Sequence, residues 1–356
     1  MAFLRAAFAP VDFPQLAVEG VPDNYTGPSV VKQHSYVTQI SLPAASHLNI
    51  AVLPTPGHAF WYTTTDTGSN WSANNYGDYG SCFPTVRGDS GSVFSRFRYI
   101  GQCIELRPTS AVVSNAGMIT AARVPITVVN RALRDEDCIN FPSALGTMVR
   151  YVDMSPASSD GYTQGACYTS HVNDGLYSVA LNDGNWQFED TWTGEAAVPP
   201  LQVRDTLGAT HDFNAKNGRL APGSASPLMG FGHLNAIAIK VTNDASTPLT
   251  FTVICRAIIE YIPDPYSIVY NMARPSPPHD VMALDAYSDV CSTLPPGVPY
   301  SQNADFWEKV WNFLRGALSG ASKVAPAFGP YGALAGGVSD SVLKLGDALH
   351  QLRMGK

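Results

Sequence analysis

The sequence predicts an all-β sandwich followed by C-terminal helices. Three observations carry that prediction. Apolar and alternating runs of strand length recur between turn signals, without the long amphipathic helices that would separate parallel strands. The 356 residues include 30 Gly and 27 Pro, above the ordinary usage of about 7% and 5%, which favours many turns and few long helices. A sustained helical hydrophobic period sets in only after Asn303.

Taken in order, residues 1–36 mix Pro, Gly and apolar residues with little periodicity and read as an extended arm or an inner-surface segment. Residues 36–42 partly alternate, as a half-buried strand should. Residues 48–53 form a second apolar run, and the Pro54-Thr55-Pro56-Gly57 turn separates them from the aromatic, β-branched run 59–63. Residues 64–92 are loop-like. Residues 94–106 alternate over much of their length, and 117–124 are another strand candidate. Residues 130–222 are rich in Asp, Asn, Gly and Ser and read as an insertion with short strands and surface loops. Clear strands return at 234–241 and 249–261. Residues 262–303 are Pro-rich, with one helical candidate at 281–291. From 304 to 323, Trp307, Val310, Trp311, Leu314, Leu318 and Ala321 fall on one helical face, which Phe306 and Phe313 widen. A Gly/Ala-rich stretch, 325–337, and a second short helix, 338–352, close the chain.

Composition narrows the function. Charged residues make up 14% of the chain and hydrophobic residues 45%, with a net charge of −7. Disorder needs the opposite balance, and an acidic chain is a poor electrostatic sink for nucleic acid. No apolar run reaches the roughly 18 residues of a membrane-spanning helix, and the first 13 residues do not make a secretory signal. The cysteines, Cys82, Cys103, Cys138, Cys167, Cys255 and Cys291, have neither zinc nor Cys-x-x-Cys spacing. They read as reduced, with Cys103 and Cys255 as small buried hydrophobes.

Four features bear on chemistry. Gly88-Asp89-Ser90-Gly91 copies the surroundings of a serine-protease nucleophile, which makes a serine hydrolase using Ser90 one alternative. The triad also needs a base and an orienter, and His34, His47 and His58, which precede the serine, lack the usual setting; a solvated loop is the simpler reading. Carboxylates between Asp153 and Asp212 have oxygen chemistry that suits Ca²⁺, although no EF-hand spacing is present. The aromatic helix 304–321 either packs on the body of the domain or acts at a membrane interface. Asn303-Ala304 stands at the compositional boundary: an Asn side-chain amide can attack its own main-chain carbonyl and release the next residue's amine, given suitable geometry and a group that polarises the carbonyl. A non-assembling receptor- or carbohydrate-binding β-sandwich is a further alternative.

Several segments, in order, resemble the capsid protein precursor of the insect nodaviruses, the alphanodaviruses. They are Ala2-Phe3-Leu4-Arg5-Ala6-Ala7-Phe8-Ala9-Pro10-Val11-Asp12-Phe13, Gly20-Val21-Pro22-Asp23-Asn24-Tyr25, Leu53-Pro54-Thr55-Pro56-Gly57-His58-Ala59-Phe60-Trp61, Phe97-Arg98-Tyr99, Pro108-Thr109-Ser110, Ile259-Glu260-Tyr261-Ile262-Pro263, Ser276-Pro277-Pro278 and Gln302-Asn303-Ala304-Asp305-Phe306-Trp307. The resemblance spans the chain and is weakest over 64–92 and 130–222.

The resemblance implies an eight-stranded antiparallel jelly roll with a protruding insertion, many copies of which form an icosahedral shell around positive-sense RNA. Residues 1–36 would be the inner arm, 37–275 the shell domain with its insertion at about 130–222, 276–303 an interior segment and 304–356 a peptide released by cleavage. Self-cleavage would fall at Asn303-Ala304, with Asp12 as the catalytic carboxyl, kept protonated among apolar neighbours. The released peptide, with Phe306, Trp307, Val310, Trp311, Phe313 and Leu314 on its membrane-active helix, would disrupt a host endosomal membrane after the virion engages a host receptor. Assembly would occur in the host cytoplasm. The family's basic RNA-binding arm would precede Met1, and Arg5, Arg96 and Arg98 do not replace it, so RNA packaging is expected to be weak. The implied cofactor is Ca²⁺ at subunit interfaces, and no organic cofactor is expected. Asp160 falls near one family ligand position. The stretch Asn185-Trp186-Gln187-Phe188 carries no carboxylate where the family has them, which leaves Glu189 and Asp190 as substitutes.

Overall fold

A computed structural model of the chain describes residues 2–10, 19–54, 58–64, 72–76, 94–110, 115–124, 127–132, 148–153, 167–190, 202–204, 210–212, 233–300, 308 and 310. It is predominantly β. In chain order the elements are α1 (Ala2–Phe8), β1 (Pro28–Leu42), β2 (Ser46–Val52), β3 (His58–Thr63), β4 (Ser72–Asn75), β5 (Phe94–Pro108), β6 (Met118–Val124), β7 (Thr127–Ala132), β8 (Met148–Asp153), β9 (Cys167–His171), β10 (Leu176–Ala180), β11 (Glu189–Asp190), β12 (Gln202–Arg204), β13 (Thr210–Asp212), β14 (Ala236–Asn243), β15 (Leu249–Pro263), β16 (Arg274–Pro275) and α2 (Val281–Thr293).

Two antiparallel sheets make the sandwich. The first runs β10-β5-β15-β1-β16, with β11 also on β5; the second runs β4-β3-β2-β14-β6-β9. Their facing sides share one apolar core. Phe251, Val253, Cys255, Ala257, Ile259 and Tyr261 of β15 meet Leu48, Ile50 and Val52 of β2 and Ile237, Ile239 and Val241 of β14. The spacing of two on each strand is the alternation that puts one face of a sheet inward. A smaller four-stranded sheet, β13-β12-β8-β7, comes from the connections between β6 and β14 and includes one parallel pair, β12 with β8.

The first sheet is covered on both faces. Its outer side packs against α1, α2 and the segment that follows α2, in a second apolar cluster with Ile100, Cys103, Tyr177, Val179 and Ile258. For this reason β5 is buried without interruption from Phe97 to Leu106, where the sequence suggests a half-buried alternating strand. A bulge helps: Tyr99 pairs with Ile259 and Gly101 with Ile258, leaving Ile100 without a counterpart. The extra residue shifts the alternation, so Tyr99 and Ile104 both face the sandwich core while Ile100 faces α1.

Three further expectations are corrected. The arm 1–36 is not uniformly extended: Ala2–Phe8 is a helix, and β1 already begins at Pro28. The polar run Lys32-Gln33-His34-Ser35 hides that strand from a hydrophobicity pattern, yet it pairs residue by residue with β15 from Val30/Tyr261 to Leu42/Leu249. Residues 64–92 contain the edge strand β4, whose Ser and Asn residues have low β propensity. Within 130–222, β9 and β10 belong to the sandwich and not to an insertion, since they pair with β6 and β5. The helix expected at 281–291 is present as α2, and Cys103 and Cys255 are buried free thiols.

Two buried polar groups have consequences for stability. Arg98 of β5 and Glu260 of β15 are register partners on the outer face of the first sheet. Arg98 Nε donates to Glu260 Oε2 at 2.7 Å, and the two side chains are 2% and 0% exposed. Glu260 also accepts from the backbone N–H of Val21 at 3.0 Å and from Ser276 Oγ at 3.0 Å. Arg98 reaches Asp23 and the carbonyl of Trp186, and its guanidinium lies 4.1 Å from the centre of the Phe188 ring. Gly20 is needed beside the pair, because a Cβ there would lie 2.2 Å from Glu260 Oε1. A buried ion pair is stabilising only relative to its broken form. Glu260→Gln, which leaves buried Arg98 with only the partly exposed Asp23 as counter-charge, should therefore cost up to about 3–5 kcal/mol in denaturant unfolding. The double variant Glu260→Gln/Arg98→Met should cost less than the sum of the two single changes.

His34 lies in the sandwich core with Nε2 2.8 Å from Tyr261 Oη. Burial, with a smaller push from Lys32, lowers its pKa to about 4. Between that value and the ordinary 6.5 the unfolded chain binds a proton that the folded chain refuses, so stability falls as pH drops through this window. The effect is roughly 3 kcal/mol in full. Midpoints measured from pH 7 to pH 4 should decline, and His34→Gln should flatten that decline.

Candidate active site

The second apolar cluster brings the two ends of the described chain together. Ala2, Ala6 and Ala7 are strong helix formers, and every α1 side chain from Phe3 to Phe8 is buried except that of Arg5. A helix apolar on nearly all sides is a buried helix. Its seat is Gly101 on β5: a Cβ there would lie 2.5 Å from the carbonyl oxygen of Ala6 and 2.6 Å from that of Ala7. Only a glycine lets the helix backbone rest on the sheet at this distance.

α2 closes over α1. Asp280 caps its N-terminus by accepting from Ala283 N at 3.1 Å. Ala283, Ala286, Tyr287 and Val290 then present one buried stripe at the spacing of an amphipathic helix. The Tyr287 ring stacks on Phe8 at 4.8 Å and 14°, and meets Trp186 edge-on at 4.9 Å. Trp186 also meets Phe3 edge-on at 5.3 Å.

The chain beyond α2 is tied down carbonyl by carbonyl. Arg123 Nη1 donates to Leu294 O at 2.8 Å and Nη2 to Pro295 O at 2.7 Å, while its Nε holds Val179 O at 2.8 Å. A cation there also suits the negative end of α2. Ser178 Oγ donates to Pro296 O at 2.6 Å. Tyr177 and Val298 exchange backbone hydrogen bonds of 2.8 and 2.9 Å. The Arg107 guanidinium sits 4.5 Å from the centre of the Tyr300 ring. On the N-terminal side, Tyr177 Oη donates to Phe8 O at 2.9 Å and Gln33 Nε2 donates to Pro10 O at 2.7 Å. Val310, in a helical conformation, returns to the same cluster and is fully buried there with Phe3, Leu4, Phe8 and Val298.

This environment favours neutral side chains. Burial pushes the Tyr287 phenol and the Cys103 thiol well above their ordinary values and the Cys291 thiol up to about 11. Burial also lowers the Arg123 guanidinium to about 10, so it stays charged near neutrality. In each case loss of water is the dominant cause.

Asp12, Asn303 and Ala304 lie outside the described residues, as do Phe306, Trp307, Trp311, Phe313, Leu314, Asp160 and Ser90. Their described neighbours are informative. Asp12 is two residues past Pro10 and Asn303 three past Tyr300, so each lies within about 7 and 11 Å of a described Cα. Of the proposed membrane-active residues, Val310 is described, and it is buried against α1. Glu189 and Asp190 form β11 against Phe97 and Arg96 of β5. Among the described residues no group of three His, Cys, Asp or Glu side chains gathers in a way that could hold a metal. Of the histidines before Ser90, His34 is committed to Tyr261 inside the core.

Tyr177, Gln33, Arg123 and the Arg98–Glu260 pair fasten these chain segments and are passed over by a sequence reading. The one available signal is a lone charge inside an apolar strand, as in Ile258-Ile259-Glu260-Tyr261. Four of the segments that carry the nodavirus resemblance, those containing Gly20 to Asp23, Arg98, Glu260 and Ser276, converge on that one ion pair.

The sequence matches the Peptidase A6 family over residues 1–345. Capsid protein alpha of Boolarra virus is 30% identical over 376 residues, covering 99% of this chain and 87% of that protein. Capsid protein alpha of Flock house virus is 28% identical over 354 residues, covering 95% and 82%. Among solved structures, the infectious bursal disease virus VP2 subviral particle superposes with a TM-score of 0.50, covering 88% of this chain and 100% of that one. At 11% identity that likeness is one of fold alone. A match that runs from the buried α1 through both sheets to the tail is a match of the whole chain, which belongs to the Peptidase A6 family, among relatives that are nodavirus capsid proteins alpha.

Proposed function

We propose that this chain is the shell subunit of an icosahedral virus particle and that each copy cuts itself once, at Asn303-Ala304, with Asp12 as the assisting acid. The observation that carries the proposal is the shared cluster. The end of α1, just before Asp12, and the chain on either side of Asn303 pack into one apolar body, with Phe8, Val298 and Val310 in common.

The strand order supports a jelly roll. Taking β1, β2, β5, β6, β9, β10, β14 and β15 as its eight strands, the first pairs with the last, the second with the seventh, the third with the sixth and the fourth with the fifth. That is the pattern of one long hairpin rolled into two sheets, an architecture used in viral shells. On this view the small sheet β13-β12-β8-β7 is the surface insertion.

In the proposed step the side-chain amide nitrogen of Asn303 attacks the main-chain carbonyl carbon of Asn303. The bond to Ala304 N breaks, the attacking nitrogen loses a proton and the departing amine gains one. Water then opens the cyclic imide. Asp12, protonated in surroundings that disfavour charge, donates to the carbonyl oxygen as negative charge develops on it. The liberated segment 304–356 leaves the cluster, which frees Val310 together with Phe306, Trp307, Trp311, Phe313 and Leu314 to enter a host endosomal membrane. The partners are copies of the chain, viral RNA held weakly, and that membrane.

Calcium belongs to the same proposal as an interface ion. Asp160, Glu189 and Asp190 are hard oxygen donors of the right kind; bound through one oxygen each they supply three of the six to eight that Ca²⁺ takes, and a neighbouring subunit and water would supply the rest. Chelation of assembled particles should lower their melting temperature, and Asp160→Asn should abolish that response.

The direct test is the intact mass of particle protein during ageing. Wild-type particles should lose a fragment matching residues 304–356. Asp12→Asn particles should assemble and remain uncut. An unchanged wild-type mass would overturn the cleavage, and normal cutting in Asp12→Asn would remove Asp12 from it.

A further inference from the structure

α1 is seven residues long, too short to hold its shape or place by itself. Its position is set by what fastens it. Tyr177 stands at the meeting of the two chain ends. Its main chain exchanges two hydrogen bonds with Val298, five residues before Asn303, and its hydroxyl donates to the carbonyl of Phe8, four residues before Asp12. That carbonyl is one of those a helix leaves unsatisfied at its C-terminus. Gln33, on β1, adds the next fastening along the same segment at Pro10 O.

We infer that Tyr177 and Gln33 are positioning residues for self-cleavage: Tyr177 ties the segment leading to the acid directly to the segment leading to the scissile bond, and Gln33 fixes the last described residue before the acid. The inference rests on Asp12 and Asn303 reacting as proposed above. Both act through the carbonyls they hold, at Phe8 and Pro10. Tyr177 is a buried ring whose main chain sits in β10 of the rigid sheet, so it transmits the sheet's geometry to both ends. Tyr177→Phe keeps the ring and the strand pairing and deletes the tether to Phe8 together with the hydroxyl's hydrogen bond to the Cys103 thiol. Gln33→Met keeps side-chain length and deletes only the tether to Pro10. A displacement of about 1 Å in such a site can cost up to roughly 100-fold in rate.

The experiment uses full-length chain assembled into particles. The first-order rate of cleavage is read by mass between pH 5 and pH 9, beside particle melting. Tyr36→Phe is the control, since it deletes a hydroxyl that bonds Asn74 at 2.9 Å between β1 and β4, away from α1. Tyr177→Phe and Gln33→Met should assemble, melt close to Tyr36→Phe and cleave roughly 10- to 100-fold more slowly, with a displaced pH profile because the acid's surroundings change. Cleavage at the Tyr36→Phe rate with an unmoved pH profile would overturn the inference. If Tyr177→Phe does not assemble, Gln33→Met decides in the same way. Asp12→Asn run in parallel separates the two levels: normal cutting there defeats the proposed chemistry, whereas an uncut Asp12→Asn beside normally cutting Tyr177→Phe and Gln33→Met defeats only the positioning roles.

Discussion

Much of this structure depends on one constraint: the sheet β10-β5-β15-β1-β16 has to be covered on both faces. The second sheet covers one. The other is covered only because both ends of the chain come back to it, and the Arg98–Glu260 pair is where that return is fastened. The pair sits across two neighbouring strands, an arrangement that favours opposite charges. Its spare hydrogen-bonding capacity is taken up by the backbone of Val21, by Asp23, by Trp186 O and by Ser276. Those are residues of the N-terminal segment, the turn before β11 and the segment before α2. A buried ion pair adds little net stability over an apolar substitute; what it adds here is a fixed location for three chain segments that have little regular structure of their own.

That fixed location is what chemistry at a single turnover needs. A self-cutting chain cannot select its substrate by binding, since nucleophile, scissile bond and assisting acid are already covalently joined. Its rate depends on orientation and on exclusion of water. On the proposed reading, the cluster around α1 would supply both. Gly101 allows the helix to touch the sheet, the rings of Phe3, Phe8, Trp186 and Tyr287 keep water out, and the carbonyls of Leu294, Pro295, Pro296 and Val298 are held by Arg123, Ser178 and Tyr177. The same burial lowers the guanidinium of Arg123 and raises the thiols and the phenol.

The legible parts of the sequence were those where one face meets water. In β15 the residues from Leu249 to Val253 alternate buried and half-buried, and the strand is plain to read. From Ala257 to Tyr261 both faces are buried and the alternation is lost. In β1 the polar residues Lys32 to His34 conceal a strand because their neighbours in β15, Ile259, Ile258 and Ala257, supply the apolar partners. α1 is invisible to periodicity for the opposite reason: a helix buried all round has no polar face to mark its period. β9 and β10 are short, and the buried polar side chain of Ser178 is explained only by a partner far along the chain, Pro296.

By itself, then, the sequence determined the all-β class, the order of the main strands, the helix α2, and the resemblance that pointed to Asp12 and Asn303. These depend on local pattern and on matched segments, which need no partner to be read. Which face of each strand is covered twice, the bulge at Ile100, the counter-charge of Arg98 and the double tether of Tyr177 were decided only by the tertiary structure. Each joins residues that the chain separates by tens to hundreds of positions, and a hydrogen bond or an ion pair leaves no periodic trace in the residues that make it.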